Sequence, residues 1–132
     1  MTLIDTSAWI EFFRRKGDPA IKQWVARLIS AGEAAYCCPV GFELKVGARP
    51  QELSAIETGL SFATRLPVEP AIWDAAADRH RHLKQKGITV PSSDLLIALT
   101  AVQFRASLLC RDQHFELIRA NTDLPELRID YR

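Results

Sequence analysis

Short apolar runs alternate with longer amphipathic segments along the chain, and a glycine or proline stands at most of the joints. Strand-sized runs alternating with helix-sized segments argue for a parallel sheet with helices on both faces. The expected architecture is therefore α/β, a three-layer α/β/α sandwich with a mostly parallel central sheet. Ligand sites in such sheets lie beyond the carboxyl ends of the strands.

Thr2-Leu3-Ile4 reads as a buried strand ending at Asp5, with Ser7 capping a helix to about Arg15. Asp18 and Pro19 then give a strong helix start. Ile21, Trp24, Val25, Leu28 and Ile29 follow at one-face helical spacing, and Gly32 stops the segment. Residues 34–38 form a second strand, and Pro39 opens a helix that stops near Gly47. Pro50 begins another, with Leu53, Ile56, Leu60 and Phe62 inward. Residues 66–68 make a short strand. Pro70 starts a helix to about Lys86, with Ile72, Trp73, Ala76, Ala77 and Leu83 as its apolar residues. Residues 88–90 are extended before Pro91. Ser92 or Ser93 caps a helix to Phe104 that is apolar nearly all round, which predicts a central position. A strand over 107–110, a helix over about 113–119 and a strand over 127–129 complete the chain.

At 132 residues the chain fits a single domain, 1–132. That length lets roughly two thirds of the unfolded surface be buried without cross-links. Net charge is +1, so any attraction for nucleic acid must be local. The cysteines, Cys37, Cys38 and Cys110, are odd in number and two are adjacent; they suggest a reducing cytosol and no disulfide framework. No basic leader precedes the first strand, and the longest apolar stretch, residues 95–102, is too short to span a bilayer.

Most of the sixteen acidic residues have ordinary explanations as caps or solvated helix faces. Four are placed differently. Asp5 ends the first strand, Glu43 lies early in the helix after the second, Asp94 opens the central helix, and Asp112 follows the strand 107–110. Alone, Asp5 reads equally as a site acid or a helix-start acid, Glu43 reads first as a surface residue, and Asp94 and Asp112 read as ordinary helix-start or capping acids. Together they deliver carboxylates to one sheet edge. Such a cluster calls for protons or a divalent cation, and an oxygen-rich set suits Mg²⁺ or Mn²⁺.

The segments Leu3-Ile4-Asp5-Thr6-Ser7, Glu43-Leu44-Lys45-Val46-Gly47, Ser93-Asp94-Leu95-Leu96-Ile97-Ala98 and Cys110-Arg111-Asp112-Gln113-His114-Phe115 resemble, in order and spacing, a PIN-domain protein of the VapC toxin ribonuclease type. The resemblance covers essentially the whole chain. It implies that Asp5, Glu43, Asp94 and Asp112 are a catalytic and metal-binding quartet. It also implies Mg²⁺- or Mn²⁺-dependent endonucleolysis of RNA, a homodimer, and a small antitoxin whose C-terminal segment blocks the groove. One departure stands out: Cys110 occupies a position where the family usually has Thr or Ser. A thiol is the weaker hydrogen-bonding partner, and Ser7 or Ser93 is the candidate substitute.

Other features receive structural readings. The run Arg79, His80, Arg81, His82, Lys84, Lys86 suits a solvated helix C-terminus better than an RNA contact. Lys45 and Arg49, near Glu43, are better placed for phosphate. His80 and His82 diverge on a helix, and His114, within reach of the site beside Asp112, reads as a surface loop residue first and a site residue second. Trp9, Phe12, Phe13 and Trp24 read as core first and groove second. Two rivals remain: a PIN-like RNA- or protein-binding module with little cleavage, and a haloacid-dehalogenase-type phosphohydrolase. The latter needs a second acid where this chain has Ser7.

Overall fold

The computed structural model describes residues 1–131. The strands are β1 (Thr2–Ile4), β2 (Ala34–Cys37), β3 (Thr64–Leu66), β4 (Ser107–Cys110) and β5 (Ile129–Tyr131). They form one five-stranded sheet in the order β3-β2-β1-β4-β5, and every pairing is parallel. The helices are α1 (Thr6–Phe13), α2 (Pro19–Ser30), α3 (Cys38–Val46), α4 (Leu53–Ser61), α5 (Pro70–Gln85), α6 (Ser92–Gln103) and α7 (His114–Asn121), with a 3₁₀ turn at Pro50–Glu52. The helices flank the sheet, as the alternation of segments predicts. Among the described residues no helix is long and apolar enough to cross a membrane.

β1 lies at the middle of the sheet, and the chain leaves it toward β2 on one side and returns as β4 on the other. That reversal of strand order opens a crevice at the carboxyl end of β1. Leu3, Ile4, Leu108 and Leu109 pack there without solvent exposure. The register pairs Leu3 with Leu108 and Ile4 with Leu109. The Asp5 N–H then donates to the Leu109 carbonyl at 2.9 Å, carrying the ladder to the edge of the crevice. Helix α6 is buried from Asp94 to Ala101, as its all-round apolarity predicts. Its one internal hydroxyl is satisfied, since Thr100 Oγ1 donates to the Leu96 carbonyl at 2.7 Å.

Several boundaries differ from expectation for identifiable reasons. Asp5, not Ser7, is the N-cap of α1. Pro91 stands at the N-cap of α6 without a side-chain cap, and Ser92 is already helical. Phe62 is 62% exposed because α4 has ended at Ser61 and the periodic face no longer continues. Trp73 is 54% exposed because the inward stripe of α5 is Ile72, Ala76 and Leu83, and Trp73 sits about a quarter-turn off it. β3 begins earlier than expected and ends at Leu66, since Pro67 has no N–H to continue a ladder. Residues 88–90 join no strand; instead the Val90 carbonyl meets His80 Nε2 at 3.0 Å. β5 starts at Ile129 rather than Leu127, which is buried just ahead of it.

The turn between α1 and α2 depends on close approach. A Cβ at Gly17 would collide with the Glu11 carbonyl oxygen, which belongs to backbone and cannot swing away. Gly17→Ala should therefore destabilise the protein by about 1–3 kcal/mol, the usual penalty of overpacking. Urea unfolding of the two proteins measures this, and equal midpoints would show that the turn relaxes freely.

Candidate functional site

The crevice is built from four junctions where helices begin: α1 after β1, α3 after β2, α6 after residues 88–90, which join no strand, and α7 after β4. At the first, Asp5 leaves β1 and caps α1. Its Oδ2 accepts the Ser7 N–H at 3.1 Å and the Ser7 hydroxyl at 2.6 Å. Asp5 is only 4% exposed, and burial raises its pKa. The Ser7 and Thr6 donors oppose that rise, and the Glu43 charge adds to it. Ser7 also acts as an acceptor. Its Oγ takes the Arg111 N–H at 2.9 Å, tying the turn after β4 to the start of α1. A haloacid-dehalogenase-type site would place its second acid at position 7; here a hydroxyl serves the first one.

At the second junction, Glu43 projects from α3 and its Oε1 accepts the Thr6 hydroxyl at 3.0 Å. At the third, Asp94 lies in the first turn of α6 and is 6% exposed. Burial pushes its pKa up from 3.8 to about 8, and the charges of Asp5, Asp112 and Glu43 push in the same direction. Asp5, Glu43 and Asp112 thus all lie within electrostatic reach of Asp94. At the fourth junction, Asp112 Oδ1 accepts the His114 N–H at 2.9 Å. That bond is an Asx turn, and it opens α7.

The turn also delivers His114, for which sequence alone favours a surface loop over the site. His114 Nδ1 stands 2.8 Å from Asp112 Oδ1 and 3.0 Å from Asp94 Oδ2. Among the described residues, Asp94, Asp112 and His114 form the one group whose ligand atoms all lie within 4.8 Å of one another. Asp5 and Glu43 complete the acidic wall outside it. The available signal was spacing: an Asp two residues before a helix start turns the following side chain back toward its own carboxylate.

Cys110 donates weakly to the Asp112 carbonyl, with sulfur 3.6 Å from oxygen. Burial, then the Asp5 charge, pushes its thiol up to about 12, so it stays neutral and is no nucleophile at neutral pH. The hydroxyl beside the acids comes from Ser7 instead. Arg111 is next to Asp112 in sequence, yet its Nη1 turns away to Glu11 Oε1 at 3.1 Å and Asp18 Oδ2 at 3.0 Å. Burial opposes the charge on Glu11, but Arg14, the Asp18 N–H and Arg111 outweigh it and hold its carboxyl below its ordinary value.

Among the described residues, no lysine or arginine forms an ion pair with Asp5, Glu43, Asp94 or Asp112. Concentrated negative charge, two carboxylates and an imidazole around one point, and no competing guanidinium fit a divalent cation.

Without metal, the buried Asp94 carboxyl favours its protonated form. Its folded pKa lies above the unfolded one, so the native state binds the extra proton and stability falls as pH rises between 3.8 and about 8. In EDTA the melting temperature should decline across that window, and Asp94→Asn should flatten the decline. An unchanged slope in the variant would show that Asp94 ionises normally.

The PIN domain family matches residues 2–121. The chain is 38% identical over 129 residues to Ribonuclease VapC11 of Mycobacterium tuberculosis, covering 94% of this chain and 96% of that one. It is 33% identical over 119 residues to Ribonuclease VapC19 of the same organism, covering 89% and 94%. Among solved structures, the fold matches the DNA-bound VapBC of Salmonella typhimurium with a TM-score of 0.77 at 20% identity, over 98% of this chain and 96% of that chain. The FitAB complex bound to an IR36 DNA fragment matches with a TM-score of 0.75 at 18% identity, over 99% and 94%. The acid at every junction and the family match extend over the same stretch of chain, which therefore belongs to the PIN-domain family as a VapC-type ribonuclease.

Proposed function

We propose that the crevice hydrolyses RNA phosphodiester bonds internally, with Mg²⁺ or Mn²⁺ as cofactor. The observation that carries this reading is Asp94, buried among three other carboxylates with His114 as its only ion-pairing neighbour among the described residues. Asp94 and Asp112 would hold the cation with His114 Nδ1 as a third donor, and Asp5 and Glu43 would add negative charge beside it. When bound, the cation supplies Lewis acidity toward a phosphate oxygen and lowers the pKa of a coordinated water.

The remaining work falls to the protein's own groups. Ser7 fixes one oxygen of Asp5, so that carboxylate presents a constant face to the crevice. Thr6 holds Glu43 through Oε1, and Oε2 is assigned to orient the attacking water and accept its proton. The water oxygen bonds to phosphorus as the opposite P–O bond breaks, and the departing ribose oxygen takes up a proton. The buried walls keep bulk water from screening the charges that build up.

The same reading makes this chain the toxin of a toxin–antitoxin pair in the cytoplasm. Solved structures of the same fold include a toxin–antitoxin complex from Klebsiella pneumoniae and VapBC-5 of Mycobacterium tuberculosis, a member of the VapBC family of toxin–antitoxin systems, which supports a small cognate antitoxin as partner. A homodimer, as the sequence resemblance implies, belongs to the proposal and is read by light scattering of the purified protein. A small open reading frame with a DNA-binding fold immediately upstream would identify the antitoxin.

Asp94→Asn should lower RNA cleavage by about a hundredfold or more, with an unchanged circular dichroism spectrum. His114→Ala should lower Mn²⁺ affinity by about 10- to 100-fold, the range seen when groups around a metal are removed. Calorimetric Mn²⁺ titration beside cleavage with and without EDTA measures both. Full activity in Asp94→Asn would remove the assignment, and metal binding without any cleavage by the natural protein would favour the non-catalytic binding module.

A further inference from the structure

Glu11 is a buried acid on α1 whose partners come from three parts of the chain. Its Oε2 accepts Arg14 Nη1 at 3.0 Å, and its Oε1 accepts the Asp18 N–H at 3.2 Å and Arg111 Nη1 at 3.1 Å. Asp18 Oδ2 takes the same Arg111 nitrogen at 3.0 Å. A buried carboxylate stays charged only where donors replace the lost water, and here they do. Arg111 links this knot to the crevice. It immediately precedes Asp112, and its own N–H donates to Ser7 Oγ, the oxygen whose proton goes to Asp5. The turn carrying Asp112 and His114 is therefore fastened twice at Arg111. Its backbone is tied to the start of α1, and its side chain to Glu11 and to the N-cap of α2. Neither Glu11 nor Arg111 belongs to the group formed by Asp94, Asp112 and His114.

We propose that Glu11 and Arg111 are positioning residues: their ion pair clamps the turn after β4 and so holds Asp112 and His114 at the spacing from Asp94 that a divalent cation needs. The inference rests on the metal-dependent ribonuclease reading of the crevice and adds to it two residues outside the acidic wall. Charge alone predicts the opposite effect for Arg111. A cation near an acidic metal site repels the metal, so its removal should tighten binding. Removal of a clamp should loosen binding, because the ligands then sample spacings that do not fit the ion. The sign of the change separates the two roles. Arg14 supplies the control. It also pairs with Glu11, but from the end of α1, and among the described residues it makes no bond to the turn after β4.

The test is calorimetric Mn²⁺ titration of the natural protein and of Arg111→Met, Arg111→Lys, Arg14→Met, Glu11→Gln and the double variant Glu11→Gln/Arg111→Met, each shown by circular dichroism to be folded at the titration temperature. Arg111→Met keeps the apolar stem and should weaken Mn²⁺ binding about tenfold, the low end for groups that orient metal ligands. Arg111→Lys keeps one donor and should lose less; if Arg111→Met does not fold, Arg111→Lys decides by the same sign. Arg14→Met should not weaken binding. The double variant should bind about as Arg111→Met does, since two halves of one clamp are not additive. RNA cleavage by Arg111→Met should recover at saturating Mn²⁺ with an unchanged KM for RNA. Equal or tighter Mn²⁺ binding by Arg111→Met would overturn the clamp, as would an equal loss in Arg14→Met. A raised KM for RNA at normal Mn²⁺ affinity would reassign the half-exposed Arg111 to a phosphate contact and overturn it too. Cleavage by the natural protein with Mn²⁺ affinity indifferent to Arg111 sinks the clamp alone. Affinity sensitive to Arg111 with no cleavage by the natural protein sinks the ribonuclease reading and leaves the clamp standing. No Mn²⁺ uptake by the natural protein sinks both.

Discussion

Like charges crowded into a partly dry crevice are the constraint around which this molecule is organised. A pair of unit charges about 4 Å apart repels by roughly 4 kcal/mol at an effective dielectric near 20. The fold gathers four carboxylates from four junctions and buries Asp94 most consequentially. It keeps the arrangement in place by giving each acid a local partner: Ser7 donates to Asp5, Thr6 to Glu43 and the His114 N–H to Asp112, and the His114 ring stands beside Asp94. None of these partners is a permanent cation. The wall is therefore fixed in geometry but left short of positive charge, which is the condition for taking up a metal ion.

The cations that could have quenched the wall are directed elsewhere. Arg111 follows Cys110 at the end of β4 and would be the natural candidate. Glu11 and Asp18 hold its guanidinium on the outer side of the α1–α2 turn, while its backbone N–H reaches Ser7. One residue thus ties β4, α1 and the start of α2 together without entering the crevice. The basic run on α5 is likewise structural in part: Arg79 grips Asp123, Arg81 pairs with Asp78, and Lys86 donates to the Asn121 carbonyl.

Much of this could be read from sequence, because strand ends and helix starts are local events. Asp18–Pro19 marked α2, the apolar run 95–102 marked the buried α6, and residues 107–110 marked β4 to the residue. The convergence of Asp5, Glu43 and Asp112 followed from parallel topology, which sends strand-to-helix junctions to one edge, whereas Asp94 arrives at the start of α6, which follows α5 with no strand between. What escaped was set by side-chain direction. His114 reaches Asp94 only because an Asx turn at Asp112 rotates it inward. Trp73 neighbours Ile72 in sequence but points off the buried stripe. The surroundings of Cys110 were equally hidden: its thiol reaches the Asp112 carbonyl, while the Ser7 hydroxyl donates to Asp5.

The strand order has a kinetic corollary. β4 docks against β1 across more than a hundred intervening residues, and Asp112 and His114 become positioned only once that docking is done. During synthesis the chain exposes Asp5, Glu43 and Asp94 well before the last wall of the crevice exists. Domains tend to fold as units as they emerge, and long-range parallel pairing is slow. A ribosome-bound fragment ending before β4 is thus an inert precursor, and competence arrives as a late, abrupt step in the life of each molecule.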